Sequence, residues 1–427
     1  MTTAAHPADA QTNPRPGPTV VAAVHDGFYG CGTGAGVANR AFLRCLADQL
    51  RPEVRLVIAP VRLADHSPEY DPAWHRQTSR ILARAQVRPL ENGTAGLTRF
   101  GDLDCFRHLV ADTARMLTTD VLPHADPALL LAFDVPFLGL APHLPDAAVR
   151  DLVLIPRATA RLHDPANRHR VAWEAYGLGS AATRGARIAC ISTHMRHHLR
   201  DQYAVPDQAL IDLSDGLIPD DHTQPGPWPH LPPAAEPGFL LAMGRAEPYK
   251  GFDDLLGALH LLTATGTPIP HLVLAAVSDQ TTPTGYQQKL ARRAHALHLP
   301  VTLLTRYRPA IRALLWHPAL RAVVVPSRAE PFGRIPLEAY AAGAAPVVAT
   351  TAGGLAETVC DGVTGHTTRP GDPTGLADAI SRALAATDAD RDRMRAAGRA
   401  LLHGRYHHPT TVARFLADLA PWAVNRC

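Results

Sequence analysis

A chain of 427 residues can hold two domains or one large one, and 46% apolar residues are ample for buried cores. No apolar run approaches the length of a membrane span, and a net charge of +3 without blocks of like charge argues against nucleic acid as the main partner. The six cysteines, at 31, 45, 105, 190, 360 and 427, show neither paired nor metal-ligand spacing, which makes a reducing cytoplasm the default compartment.

Residues 1–18 lack the apolar core of a signal peptide and read as a disordered tail. A buried strand is expected over 19–24. It is followed by Asp26, a glycine-rich loop from Gly30 through Gly34 to Gly36, and a helix over 37–50. Such a loop lets a ligand approach the backbone closely, though a tight turn without a ligand leaves the same mark. A strand at 54–59 and helices at 73–85 and 103–117 come next. Asp102 and Asp104 have the spacing of a metal-binding DxD, but they stand at a helix start, where Asp is favoured as a cap. Strands at 129–133 and 151–155 end in Asp134 and in Pro156-Arg157. Functional residues collect at strand ends, so Asp134 and Arg157, with Asp26, are candidates for one substrate; a structural Arg is the alternative.

A helix over 171–181 carries Glu174. After a strand at 187–191, Ser192-Thr193-His194 caps a helix through 202. Its cluster Arg196, His197, His198 and Arg200 reads as a solvated face, because no broad apolar stripe accompanies it. A short strand is expected at 211–213. Residues 222–238 are proline-rich and aperiodic, the best linker in the chain. They separate a first domain, 19–221, from a second, 239–408, with a last helical segment at 409–427.

The second domain opens with a strand at 239–243. Arg245 and Lys250, on either side of a strand-to-helix loop, can clamp one anion from two sides. Strand, helix and strand follow at 271–277, 286–297 and 301–305, with Tyr307 just beyond. The densest stretch is 321–359. A strand at 322–325, a loop at 328–333, a helix from Arg334 and a strand at 346–349 make a βαβ unit with both loops on one sheet edge. Glu330 just before that helix and Glu338 a turn inside it can face one ligand, while Phe332 and Gly333 offer N–H groups to an anion. A phosphate flanked by carboxylates that accept from hydroxyls describes a nucleotide sugar. Two Glu at this spacing, taken alone, more often mean a cap and a solvated side chain. Helices are expected at 375–385 and 389–403.

The same segment resembles the donor-binding signature of the retaining, family-four glycosyltransferases of the GT-B fold. The matching residues are Pro326-Ser327, Glu330-Pro331-Phe332-Gly333, Leu337-Glu338-Ala339, Gly343, Pro346-Val347-Val348, Gly353-Gly354, Glu357 and Gly365. The resemblance implies an α/β chain of two Rossmann-like, doubly wound domains facing a central cleft, with 409–427 crossing back onto the first. It implies a donor site of Gly34, Arg245, Lys250, Tyr307, Glu330, Phe332, Gly333, Arg334 and Glu338. Arg245 and Lys250 would hold the diphosphate, Glu330 the sugar and Glu338 the ribose, with Glu330, Arg245 and Lys250 as catalytic groups. Attack and departure on one face, with the leaving phosphate helping to deprotonate the acceptor, follow from the same resemblance. No metal and no cofactor beyond the nucleotide-sugar co-substrate are expected.

Asp26, Asp134 and Arg157 fall to the acceptor. This is expected to be a soluble small molecule; the Arg- and Ala-rich composition looks like that of a high-GC bacterium, and the resembled family there also decorates natural products such as aminocyclitols, which implies a cytoplasmic hexosyl- or N-acetylhexosaminyl-type enzyme without membrane insertion. Relatives often carry a histidine after the strand matched by 151–155. Here Arg157 stands near that place and the nearest histidine is His163. That departure keeps open a pseudo-glycosyltransferase or a non-catalytic nucleotide-sugar-binding protein.

Overall fold

The computed structural model describes residues 16–31, 33–222, 226–308, 310–344 and 346–425. Most of the expected tail, Gly32 of the glycine-rich loop and residues 223–225 of the expected linker lie outside the described residues. The first strand begins at Gly17 rather than Thr19, inside the stretch read as tail.

Two parallel sheets carry the chain. The first contains β1 (Gly17–Val24), β2 (Arg55–Pro60), β3 (Gln86–Val87), β4 (Ala125–Phe133), β5 (Leu152–Ile155), β6 (Arg187–Cys190) and β7 (Leu210–Asp212), in the order β3-β2-β1-β4-β5-β6-β7. The second contains β8 (Phe239–Arg245), β9 (His271–Ser278), β10 (Val301–Arg306), β11 (Leu320–Val325), β12 (Val347–Thr350) and β13 (Gly365–Thr368), in the order β10-β9-β8-β11-β12-β13. Val20 to Val24, Leu240 to Ala242 and Val323 to Val325 are almost wholly buried, as strands covered by helices on both faces must be.

The strand order reverses at corresponding places in the two sheets, between β1 and β4 and between β8 and β11. An open α/β sheet receives its ligand in the crevice beyond the carboxyl ends of such strands. His25 and Asp26 follow β1, Asp134 follows β4, Arg245 ends β8, and Pro326-Ser327 follow β11.

The helices that matter here are α1 (Gly34–Gln49), α2 (Arg168–Thr183), α3 (Thr193–Tyr203), α4 (Phe252–Ala264), α5 (Ile335–Ala342) and α6 (His408–Leu419). α1 starts at Gly34, not Val37, because Thr33 caps it: its hydroxyl accepts from the Gly36 N–H at 3.1 Å. α6 packs on α1, with the Phe415 ring 6.0 Å from that of Phe42. The chain passes between the domains twice, and the two crossings pair: Leu217 N–H donates to the Tyr406 carbonyl and His408 N–H to the Leu217 carbonyl, each at 2.9 Å.

The basic cluster of α3 is not a uniformly solvated face. His198 is buried, and its Nε2 lies 2.7 Å from the Thr159 hydroxyl. The segment after β5 packs over that side of the helix, which the helix's own sequence does not announce. Among the described residues no helix is long and apolar enough to cross a membrane.

Candidate active site

At the switch point of the second sheet, the loop after β11 folds back over the loop after β8. Ser327 donates to Glu330 Oε1 at 2.8 Å, and the Lys250 ammonium pairs with the same oxygen. Both Lys250 and Glu330 side chains are largely buried, at 14% and 9% exposure. Arg328 forks onto Asp254 of α4 at 2.6 and 2.7 Å, anchoring the loop. Gly333 turns the chain into α5 with φ +90°, a conformation costly for residues with a Cβ. Gly353 lies so close under the Glu330 carbonyl that a Cβ there would overlap it. The neighbouring Gly354 N–H donates to that carbonyl at 3.0 Å.

Arg245 is exposed and its guanidinium meets the Tyr249 hydroxyl. Tyr249 stacks on His163 of the first domain, ring centroids 4.4 Å apart at 13°. Burial, with the charges of Lys250 and Arg245, pushes the His163 imidazole down to about 3, so it is neutral near pH 7. Its Nε2 is buried without a hydrogen-bond partner among the described residues.

Glu338 is buried on α5 and accepts from Arg312 Nε at 3.0 Å; Arg312 also donates to the Tyr307 hydroxyl at 2.6 Å. The Glu338 carboxylate keeps Arg312 firmly charged. Tyr307 itself is 43% exposed. Arg334 reaches toward the interdomain crossing, where it donates to the Gly216 carbonyl at 3.0 Å. Phe332 is buried against Tyr406, ring centroids 5.5 Å apart, and leaves its backbone to the loop. Gly34 opens α1 across from this domain.

The first sheet's switch point is built differently. Asp26 accepts from Arg99 at 2.9 Å and from the Thr33 hydroxyl at 2.7 Å. Asn39 donates to Asp134 at 2.7 Å and to the Asp26 carbonyl at 3.0 Å, and accepts from Arg157 Nε at 2.8 Å. Arg157 then pairs with Asp215 at 2.9 Å. Asp26, Asn39, Asp134, Arg157 and Asp215 are all buried. Burial pushes the Asp26 carboxyl up despite Arg99, and takes Asp134 up to about 6 against the pull of Arg157. Burial works the same way on Asp215, but Arg157 and Arg334 outweigh it and hold that carboxyl low. Asp134 has φ +77°, rare for a residue with a side chain and a mark of backbone held in place by its surroundings.

The structure thus brings Lys250 to Glu330, with Arg245 joined to the same loop through Tyr249, and sets Glu338 in a separate group with Arg312 and Tyr307. It joins Asp26, Asp134 and Arg157 through Asn39, a residue the sequence does not single out. Arg99, Asp215 and Arg312 are further partners with no local signal. Asp102 accepts from the N–H groups of Asp104 and Cys105 at 3.0 and 3.1 Å, the geometry of a helix cap. Among the described residues no three His, Cys, Asp or Glu side chains gather as a metal site.

Two Rossmann-like domains, each with its strand order reversing at a switch point, have the architecture of the GT-B fold. Residues 230–401 match the family described as Glycosyl transferases group 1. Over 150 residues, 34% of this chain and 36% of the relative, it is 39% identical to a D-inositol 3-phosphate glycosyltransferase of Frankia alni. Over 174 residues, 40% of each chain, it is 36% identical to a glycogen synthase of Mycobacterium tuberculosis. These matches span well under half the length of the curated relatives. Among solved structures, sucrose-phosphate synthase from Thermosynechococcus elongatus superposes with a TM-score of 0.71 at 19% identity, covering 95% of this chain and 98% of that one. Anabaena HepE in complex with UDP-glucose gives 0.65 at 19% identity, covering 95% and 99%.

Proposed function

We propose that the protein transfers a sugar, with retention of anomeric configuration, from a nucleoside-diphosphate sugar to a soluble small-molecule acceptor. The observation that carries this reading is the meeting of Lys250 and Glu330 beside the Gly333 turn at the β8/β11 switch point. There the Lys250 ammonium, the Arg245 guanidinium and the N–H groups entering α5 stabilise the charge that grows on the departing diphosphate. Fixed donors of this kind typically contribute about 3–4 kcal/mol each. Glu330 then accepts from sugar hydroxyls and Glu338 from the ribose, with Arg312 holding the Glu338 carboxylate in place. As the bond from the anomeric carbon to the diphosphate oxygen breaks, the acceptor oxygen bonds to the same face of that carbon and its proton passes to the leaving phosphate.

Lys250 and Arg245 supply the positive charge, so no divalent metal is required. A relative named for D-inositol 3-phosphate and a fold neighbour holding UDP-glucose favour a hexosyl-type donor and a cyclitol-like acceptor. Asp26 and Asp134 already accept from Arg99, Thr33 and Asn39, so they bear on an aminocyclitol only through the walls they build. A second reading, nucleotide-sugar binding without transfer, draws on Arg157, which is committed to Asn39 and Asp215 rather than offered to a substrate.

The test is incubation with a panel of nucleotide sugars, with and without cyclitol and aminocyclitol acceptors. Acceptor-dependent release of nucleoside diphosphate that persists in chelator is the expected result. Tight nucleotide binding with no release from any donor would favour the second reading.

A further inference from the structure

The helix that opens on the second domain is capped from outside its own domain. Ser192, the N-cap of α3, accepts from Met195 N–H at 3.0 Å and donates to the Pro331 carbonyl of the donor loop at 2.6 Å. The next two N–H groups, of Thr193 and His194, have no intrahelical acceptor by geometry. They donate at 3.1 and 2.8 Å to Oε2 and Oε1 of Glu357. Glu357 lies in the second domain, just past the Gly353-Gly354 pair that supports Glu330. Its side chain is 15% exposed, and Arg405 approaches it at 3.3 Å. A carboxylate at the positive end of an 11-residue helix is a favourable placement.

We propose that Glu357 is a positioning residue for the donor loop: it docks the N-terminus of α3 onto residues 330–333 and fixes the angle between the domains, and the cleft opens by releasing that helix end to water. Freed N–H groups at a helix end are readily solvated, which makes the contact reversible. Ser192 thereby holds the Pro331 carbonyl next to Glu330, the residue that pairs with Lys250. The catalytic consequence rests on the proposed donor site, whereas the structural consequence does not.

Two variants of the full chain approach the contact from opposite sides. Glu357→Ala removes the acceptor. Thr193→Pro removes one donor with the helix kept, because proline is tolerated at the first helical position and Ser192 before it is already extended, with φ −158° and ψ 163°. X-ray scattering without and with saturating UDP, calorimetric titration of UDP, and UDP release from UDP-glucose are measured for each, with circular dichroism to check folding. Glu357→Ala is expected to enlarge the ligand-free radius of gyration and to leave UDP affinity within about twofold. Because sub-ångström placement is at stake, it should lower UDP release about tenfold. Thr193→Pro should shift both readouts the same way by less, and the double variant should be no worse than Glu357→Ala alone. Unchanged scattering in both variants would overturn the proposal. So would loss of UDP binding in Glu357→Ala with Thr193→Pro unaffected, which would assign Glu357 to the ligand itself. A wild-type protein silent toward UDP and UDP-glucose would count against the donor reading, and the ligand-free scattering would still decide on the contact.

Discussion

The two switch points occupy equivalent places in equivalent sheets, yet they treat charge in opposite ways. In the second domain Arg245 is exposed, and Lys250, largely buried, pairs with Glu330, itself proposed to face the ligand, and lies over the Tyr249 ring. In the first domain the charges are turned inward: Asp26 to Arg99, and Arg157 to Asp215. A site that must stabilise a charged leaving group leaves cations available, whereas a site that shapes a cavity spends its charges on rigidity. Buried ion pairs are retained less for net stability than because removing one partner strands the other.

The largest effect should follow from breaking the inward network. Arg157→Ala leaves the buried Asp215 carboxylate without its ion-pair partner and with only the more distant charge of Arg334, at a cost of about 3–5 kcal/mol in urea unfolding. Adding Asp215→Asn should recover much of that loss, while UDP affinity of the folded molecules is unaltered. On the other side, Lys250→Ala should lower turnover by about 10²–10³-fold with a smaller loss of stability, because Ser327 still donates to Glu330 and this pair lies nearer solvent than Arg157–Asp215. Equal stability losses in the two variants would erase the contrast.

A smaller effect is expected from pH. His25 and His163 are held down to about 3, and His198 and His408 to about 4, chiefly by burial. Each lies below its unfolded value, so the stability it contributes is complete above about pH 6.5 and is lost progressively as pH falls from there toward the folded values. Asp134, raised to about 6, works the other way and gains stability as pH falls from about 6 toward 4. Asp26, also raised by burial, acts in the same sense as Asp134, but the four histidines outweigh the two carboxyls, so the unfolding free energy should drop from pH 7 to pH 5, by on the order of 1–2 kcal/mol per histidine. His198→Asn should flatten part of that slope. The smallest effect is that of Asp102→Ala, which should lower the melting temperature slightly and leave turnover in chelator unchanged. A large loss of turnover there would reopen the metal reading.

The second switch point was legible because one continuous βαβ segment carries it: Glu330, Gly333 and Glu338 lie within a single loop and helix, and Arg245 and Lys250 within the neighbouring one. The first was not. Asp26, Asn39, Arg99, Asp134, Arg157 and Asp215 are scattered over most of the first domain, and nothing in their local spacing says which will pair. The positive φ of Asp134 leaves no trace in composition either. Gly34 and Gly36 hid the true start of α1, since glycine weakens a helix pattern that the Thr33 cap restores. His198 was misread because its burial comes from Thr159, far from it along the chain.

The most direct measurement is calorimetric titration of UDP, and of other nucleoside diphosphates if UDP is silent, into wild type, Glu338→Ala and Asp134→Asn. If the second domain holds the nucleotide and the first shapes the acceptor cavity, Glu338→Ala should bind at least about tenfold more weakly, a loss of about 1.4 kcal/mol, and Asp134→Asn should bind like wild type. Normal binding by Glu338→Ala with loss in Asp134→Asn would place the nucleotide on the wrong face of the cleft and contradict the assignment.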